Sequence, residues 1–142
     1  MKAALPTRRN VYISFDYADI HEVNLVRAQA KNKNTDLDFI DRSIHDPLDV
    51  TNPDLIKNEI RRCLNLASVT LIYLSNITHE SIWVEWEVRE SINLKKGILA
   101  MHKGVKPPKR MPEWIGELGI LVVPWSQSRL SLAIEQAAQL RN

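Results

Sequence analysis

Trp83-Val84-Glu85-Trp86-Glu87 places two indoles and two carboxylates within five residues of a stretch patterned as a helix. A carboxylate half sheltered at the edge of a cleft is a plausible functional group, and Trp83 and Glu87, four residues apart, share one helical face. At 100° per residue Glu87 falls on the flank of a Val84/Val88/Ile92 stripe, half sheltered and facing a cleft. Glu85 lies on the opposite flank, toward a neighbouring strand or solvent. On spacing alone the plainer account is favoured: acids early in a helix complement its dipole, and the tryptophans pad the core.

Other chemistries lack their residues. There is no G-x-G-x-x-G and no G-x-x-x-x-G-K-[ST], and the chain has only four glycines, so neither nucleotide cradle is present. His21, His45, His79 and His102 are scattered without metal-ligand spacing, and the single Cys63 sits in an apolar helical pattern, so no metal site is expected. A phosphoryl-receiver domain needs an acceptor Asp after its third strand, where this chain reads Leu74-Ser75-Asn76.

The elements that must position these residues alternate. Strands are predicted at 11–15, 37–41, 68–75, 97–101 and 120–123, the second a less apolar edge and the third buried on both faces. Helices are predicted at 21–31, from Asn52-Pro53-Asp54 onward with Leu55, Ile56, Ile60, Cys63 and Leu64 as the buried stripe, at 81–96, and at 129–141. Gly97 is read as the left-handed stop of the third helix, and 111–118 as a short helical turn. This alternation predicts an α/β fold with a central five-stranded parallel sheet in the flavodoxin-like order 2-1-3-4-5, with ligands beyond the strand carboxyl ends. Phe15, Asp16, Tyr17, Arg42, Ser43, Ser75 and Asn76 fall there. The segment Arg42 to Asn52 is long enough for a contact loop.

The chain has 142 residues, 19 Lys+Arg against 17 Asp+Glu, 44% hydrophobic and 25% charged, which fits one domain over 1–142 with residues 1–9 as a flexible leader. Signs are interspersed and the net charge is +2, so no nucleic-acid partner is expected; Lys103 to Arg110 reads as a solvated loop. No apolar run approaches the roughly 18 residues that span a bilayer, and the lone cysteine favours a reducing compartment, so the expectation is a cytoplasmic protein without membrane contact.

Taken in order, Val11-Tyr12-Ile13-Ser14-Phe15, Phe39-Ile40-Asp41, Ser68 to Ser75 and Trp83-Val84-x-x-Glu87 resemble a Toll/interleukin-1 receptor (TIR) domain. Asn24-Leu25-Val26-Arg27, Trp83-Val84-x-Trp86-Glu87 and Ile98-Leu99-Ala100-Met101-His102 make the chain most similar to the bacterial TIR-like proteins (ThsB-type) of the Thoeris anti-phage system, over nearly its whole length. The resemblance implies a TIR-like three-layer sandwich. It further implies cleavage of the nicotinamide–ribose bond of NAD+, with a cyclic or conjugated ADP-ribose signal reaching a separate effector and a phage component as trigger. NAD+ would be the substrate, with no resident cofactor or metal.

By position in the motif Glu87 would be the catalytic carboxylate, with Glu85 the rival. Trp83 would wall the pocket, Phe15 and Asp16 would border the nicotinamide end, and Arg42, Ser43 and Ser75 would meet ribose or phosphate oxygens. Many TIR enzymes carry basic residues after the first strand, whereas here Asp16 and Tyr17 follow Phe15, and Asp16 could instead hold a ribose hydroxyl. The 42–52 loop stands where the family's self-association loop does. Two alternatives stay open: a noncatalytic TIR-like adaptor working by homotypic contacts, and a nucleoside or nucleotide glycosyl-bond enzyme of similar fold.

Overall fold

Short β-branched runs alternate with amphipathic segments to give β1 (Arg9–Ser14), α1 (Ile20–Asn32), β2 (Leu37–Phe39), α2 (Pro53–Leu66), β3 (Val69–Leu74), α3 (Ile82–Asn93), β4 (Gly97–His102), α4 (Glu113–Glu117), β5 (Val122–Pro124) and α5 (Gln127–Leu140) in the computed structural model. The structure describes residues 9–32, 37–39, 52–125 and 127–140. The strands form one sheet in the order β2-β1-β3-β4-β5, and every pairing is parallel. The parallel α/β class expected from the alternation is therefore present.

Period-two alternation decides which side chains meet which helices. On one face Val11, Ile13, Phe15, Leu71, Tyr73, Leu99 and Met101 pack against Val23 and Val26 of α1 and Ile134, Ala137 and Ala138 of α5. On the other, Tyr12 meets Ile56, Ile60, Cys63 and Leu64 of α2, while Ile72, Leu74 and Ala100 meet Val84 and Val88 of α3 and Trp114 and Ile115 of α4. β3 is buried along its whole length, as a central parallel strand covered on both faces must be.

Local chemistry sets the boundaries of α2 and α3. Asn52 Oδ1 accepts from the Asp54 and Leu55 amides, and Pro53 occupies the first helical position. Leu55, expected in the buried stripe, is 63% exposed, because the helix turns Ile56, Ile60, Cys63 and Leu64 inward instead. At the end of α3 the left-handed residue is Lys95 (φ 60°), not Gly97. The Lys95 amide donates to the Ile92 carbonyl and the Lys96 amide to that of Ser91, so the closing turn forms without glycine. Gly97 is needed for a different reason: a Cβ there would stand 2.3 Å from the Ala137 carbonyl oxygen, so the missing side chain is what lets α5 lie on β4.

Ile40 and Asp41, the end of the expected second strand, lie outside the described residues, as do 42–51 of the expected contact loop and 1–8 of the expected leader. Among the described residues no helix is long and apolar enough to cross a membrane.

These two positions give opposite expectations. Gly97→Ala should cost about 1–3 kcal/mol by forcing α5 off the sheet, whereas Lys95→Gly should gain up to about 1 kcal/mol by relieving the left-handed backbone. Urea unfolding of both variants beside the parent measures each.

Candidate active site

α3 begins at Ser81, whose Oγ accepts from the Val84 amide. From there the helix turns Val84, Glu87, Val88 and Ser91 against the sheet. Ser91 Oγ donates to the Glu87 carbonyl one turn earlier at 2.7 Å and stands 2.8 Å from Thr70 Oγ1 on β3. With its only proton so used, the Ser91 hydroxyl receives the Thr70 proton. This buried chain fixes how α3 is rotated about its axis.

Glu87 is 0% exposed, which corrects the half-sheltered flank expected from spacing. The reason is tertiary. α2 lies beside α3 on the same sheet face, and Trp83, Trp86 and Leu94 pack on the α2 cluster, so the flank that carries Glu87 is covered as well. Ile92, assigned to the stripe, is 40% exposed on the side turned away. Glu85 is on the surface, accepting from Arg89 Nε at 2.9 Å.

Sheet register gives Glu87 its level. Tyr12 pairs with Thr70, and Ser14 with Ile72. α3 runs back along the sheet, so the turn of about 5.4 Å from Ser91 to Glu87 matches the two strand residues from Thr70 to Ile72, about 6.6 Å. Glu87 is thus carried level with Ser14, the last residue of β1, and with Ile72, two residues before the end of β3. Ser14 lies on the Tyr12 side of β1, facing α2 and α3; it is 0% exposed, and its Oγ has no hydrogen-bond partner among the described residues.

Trp83 and Trp86 meet edge to face, centroids 6.2 Å apart at 78°. Trp83 is half-buried one turn before Glu87, and the Trp86 ring carries Lys57 Nζ at 5.5 Å and the Arg61 guanidinium at 5.3 Å. Trp83 and Glu87 stand one helical turn apart on α3. Phe15 is not brought with them: it is buried in the α1/α5 core with the Arg27 guanidinium 5.7 Å from its ring, on the opposite face of the sheet. Strand alternation is the cause, since Ser14 takes the α3-facing position.

Asp16 caps the 3-10 turn Tyr17–Asp19, accepting from the Ala18 amide at 3.0 Å. Ser75 Oγ donates to Asp19 Oδ2 at 2.7 Å and accepts from the Ile77 amide, while the Ser75 amide donates to Thr78 Oγ1 at 2.9 Å. This latch ties the segment after β3 to the one after β1. Burial raises the Asp19 carboxyl above its ordinary value against the opposing Ser75 hydrogen bond, with the charges of Asp16 and Glu22 adding to the rise. Tyr73, behind the latch, is pushed up to about 12 by burial, then by Glu22 and Asp19.

Arg42 and Ser43 lie outside the described residues. The sequence gives Ser14, Asp19 and Thr70 no place in the site; Ser91 shares the helical face of Val84 and Val88 by spacing, and the structure buries it there. Ser14 was legible in part, because two residues after Tyr12 on one strand is the same face.

The sequence model for the TIR-like domain of the Thoeris protein ThsB matches residues 12–107. No curated protein matches the chain. Among solved structures, the Clostridium botulinum CMP N-glycosidase BcmB superposes with a TM-score of 0.58 at 7% identity, over 90% of this chain and 98% of that one. The TIR domains of the activated Roq1 resistosome recognising the pathogen effector XopQ give 0.49 at 12% identity, over 69% and 59% of the two chains. A 2-desoxiribosyltransferase from Leishmania mexicana gives 0.49 at 18%, over 79% and 72%.

The latch has a pH signature. Asp19 holds its proton more tightly folded than unfolded, so its contribution to stability is full below the unfolded value of 3.8 and is lost as pH rises through the raised folded value. Asp19→Asn should remove that component. Urea unfolding from about pH 4 to 7 should give the parent a steeper loss, or a smaller gain, than the variant. Ser75→Ala should raise the Asp19 value further, as read by carboxyl NMR titration.

Proposed function

Since the chain belongs to the family of the Thoeris ThsB TIR-like domain, we propose that it is a defence enzyme that cleaves the nicotinamide–ribose bond of NAD+, with Glu87 as the catalytic carboxylate. The observation that carries this reading is the complete burial of Glu87 level with the carboxyl end of β1, in the carboxyl-terminal half of the sheet, with Trp83 one turn away on the same helix. Ligands of open parallel sheets bind at this end. A carboxylate enclosed away from water also acts strongly on a nearby positive charge, because little solvent screens it.

The reaction asks for that charge. As the C1′–N1 bond breaks, its electron pair returns to the pyridinium nitrogen and nicotinamide leaves neutral, so no general acid is needed to expel it. The ribose is left oxocarbenium-like, and Glu87 stabilises it until water or a nucleophile within the nucleotide adds to C1′ and releases a proton. Water gives ADP-ribose; internal capture gives a cyclic isomer. A cyclic or conjugated ADP-ribose is the signal that reaches a separate effector protein. The fold is shared with a protein named as a CMP N-glycosidase, so CMP belongs among the substrates tested.

Glu87 is fully covered, so turnover needs the covering side chains to part. That requirement supports low basal activity and release on assembly, with 42–52 as the self-association segment and a phage component as trigger. NAD+ is the substrate; no resident cofactor or metal enters the scheme, which operates in the cytoplasm where NAD+ is supplied.

Purified protein at high concentration, with and without lysate of phage-infected cells, should release nicotinamide from NAD+, and Glu87→Gln should lower the rate by at least about a hundredfold with the fold retained by circular dichroism. Product mass separates hydrolysis from cyclisation. No nicotinamide from the parent under either condition would favour the adaptor reading, and cleavage of CMP alone the nucleotide-glycosidase one.

A further inference from the structure

Ser14 is the unexplained group of this region. It ends β1, is 0% exposed, and its hydroxyl makes no hydrogen bond with any described residue. A buried hydroxyl normally finds a partner, since one left without a partner is destabilising, and a valine or alanine would fill a strand position at no such cost. The other buried hydroxyls of this sheet face and its edges are engaged: Thr70 with Ser91, Ser91 with the Glu87 carbonyl, and Thr78 with the Ser75 amide and the Tyr73 carbonyl. Ser14 stands apart from them.

Its place is specific. Tyr12, two residues earlier, packs on α2, and Ile72, its partner in register, packs on Val84 and Val88 of α3. Ser14 therefore faces the seam between α2 and α3, level with Glu87 by the register of Thr70 and Ser91. A buried hydroxyl and a buried carboxylate come to one level on one face of the sheet.

We propose that Ser14 Oγ binds a hydroxyl of the substrate's ribose while Glu87 acts at its anomeric carbon. The inference rests on the NAD+ reading and sharpens it: the site selects a ribonucleotide over a nucleotide lacking that hydroxyl. A hydroxyl can both donate and accept, so it pairs with a sugar hydroxyl in either sense. A site built to bond a hydroxyl rejects the analogue without it, because its own buried group is then left unsatisfied.

The test uses the full chain, NAD+, and the two NAD+ analogues lacking the 2′- or the 3′-hydroxyl of the nicotinamide ribose. Ser14→Ala and the near-isosteric Ser14→Cys should fold with a Tm equal to or above the parent's, because the group removed has no hydrogen-bond partner among the described residues. Their KM for NAD+ should rise about tenfold with kcat changed little. The parent should discriminate against one of the two analogues by about tenfold or more, and both variants should lose that discrimination. Parent-like KM and discrimination in both variants would overturn the role of Ser14 and leave the enzyme reading standing. A fall in Tm in both, with discrimination kept, would make Ser14 a packing residue and overturn it as well. If the parent neither turns over nor binds NAD+, the reading and this inference fall together, and Glu87→Gln then behaves as the parent does.

Discussion

Thr70 Oγ1 and Ser91 Oγ meet at 2.8 Å between the sheet and α3, and Ser91 spends its proton on the carbonyl of Glu87. A serine that bonds back to the preceding turn is held to one rotamer, and the Thr70 contact ties that rotamer to a fixed point on β3. Together they leave α3 one rotation about its axis and one height along the sheet. Everything assigned to the site follows from that pair of constraints. Val84 and Val88 enter the core, Glu85 and Arg89 go to the surface, and Glu87 is carried inward level with the carboxyl end of β1.

Alternation along β1 divides labour at the same level. Phe15 is spent on the α1/α5 face, where Arg27 covers it, and Ser14 is left facing α2 and α3. The Asp19–Ser75 hydrogen bond then joins the segments that leave β1 and β3. Each strand end is thus held from both sides: by the sheet beneath and by a side-chain bridge above. A site needs its reacting groups kept to a fraction of an ångström, and groups on strands and helices are held more tightly than groups on loops.

Gly97 shows how close packing elsewhere supports this arrangement. With no Cβ at the head of β4, α5 lies directly against the strand, which closes the α1/α5 face and leaves the opposite face to α2, α3 and α4. The tryptophans of α3 work on that second face. Trp83 and Trp86 pack on the α2 cluster, and Lys57 and Arg61 of α2 lie over the Trp86 ring, so the covering of this flank of α3 is built with the neighbouring helix.

Much was legible in the residues alone. Periodicity two against periodicity near four marked strands and helices, Asn52-Pro53-Asp54 marked the start of α2 through its free amides, and the spacing of Trp83 and Glu87 put them on one helical face. These are short-range effects, decided by backbone geometry within a turn or two. The family resemblance was likewise carried by ordered motifs. What the sequence left open were quantities that depend on a second element. Whether the flank of α3 is wet or buried depends on where α2 lies, so Glu87 read as half sheltered and Leu55 as core. Whether Gly97 is a helix stop or a packing site depends on α5, forty residues on. Which side of β1 faces α3 depends on which helices cover which face, and the packed sheet turns Ser14 to that side and Phe15 to the α1/α5 core. Local pattern fixes an element's own two sides; only the packed sheet decides what each side meets.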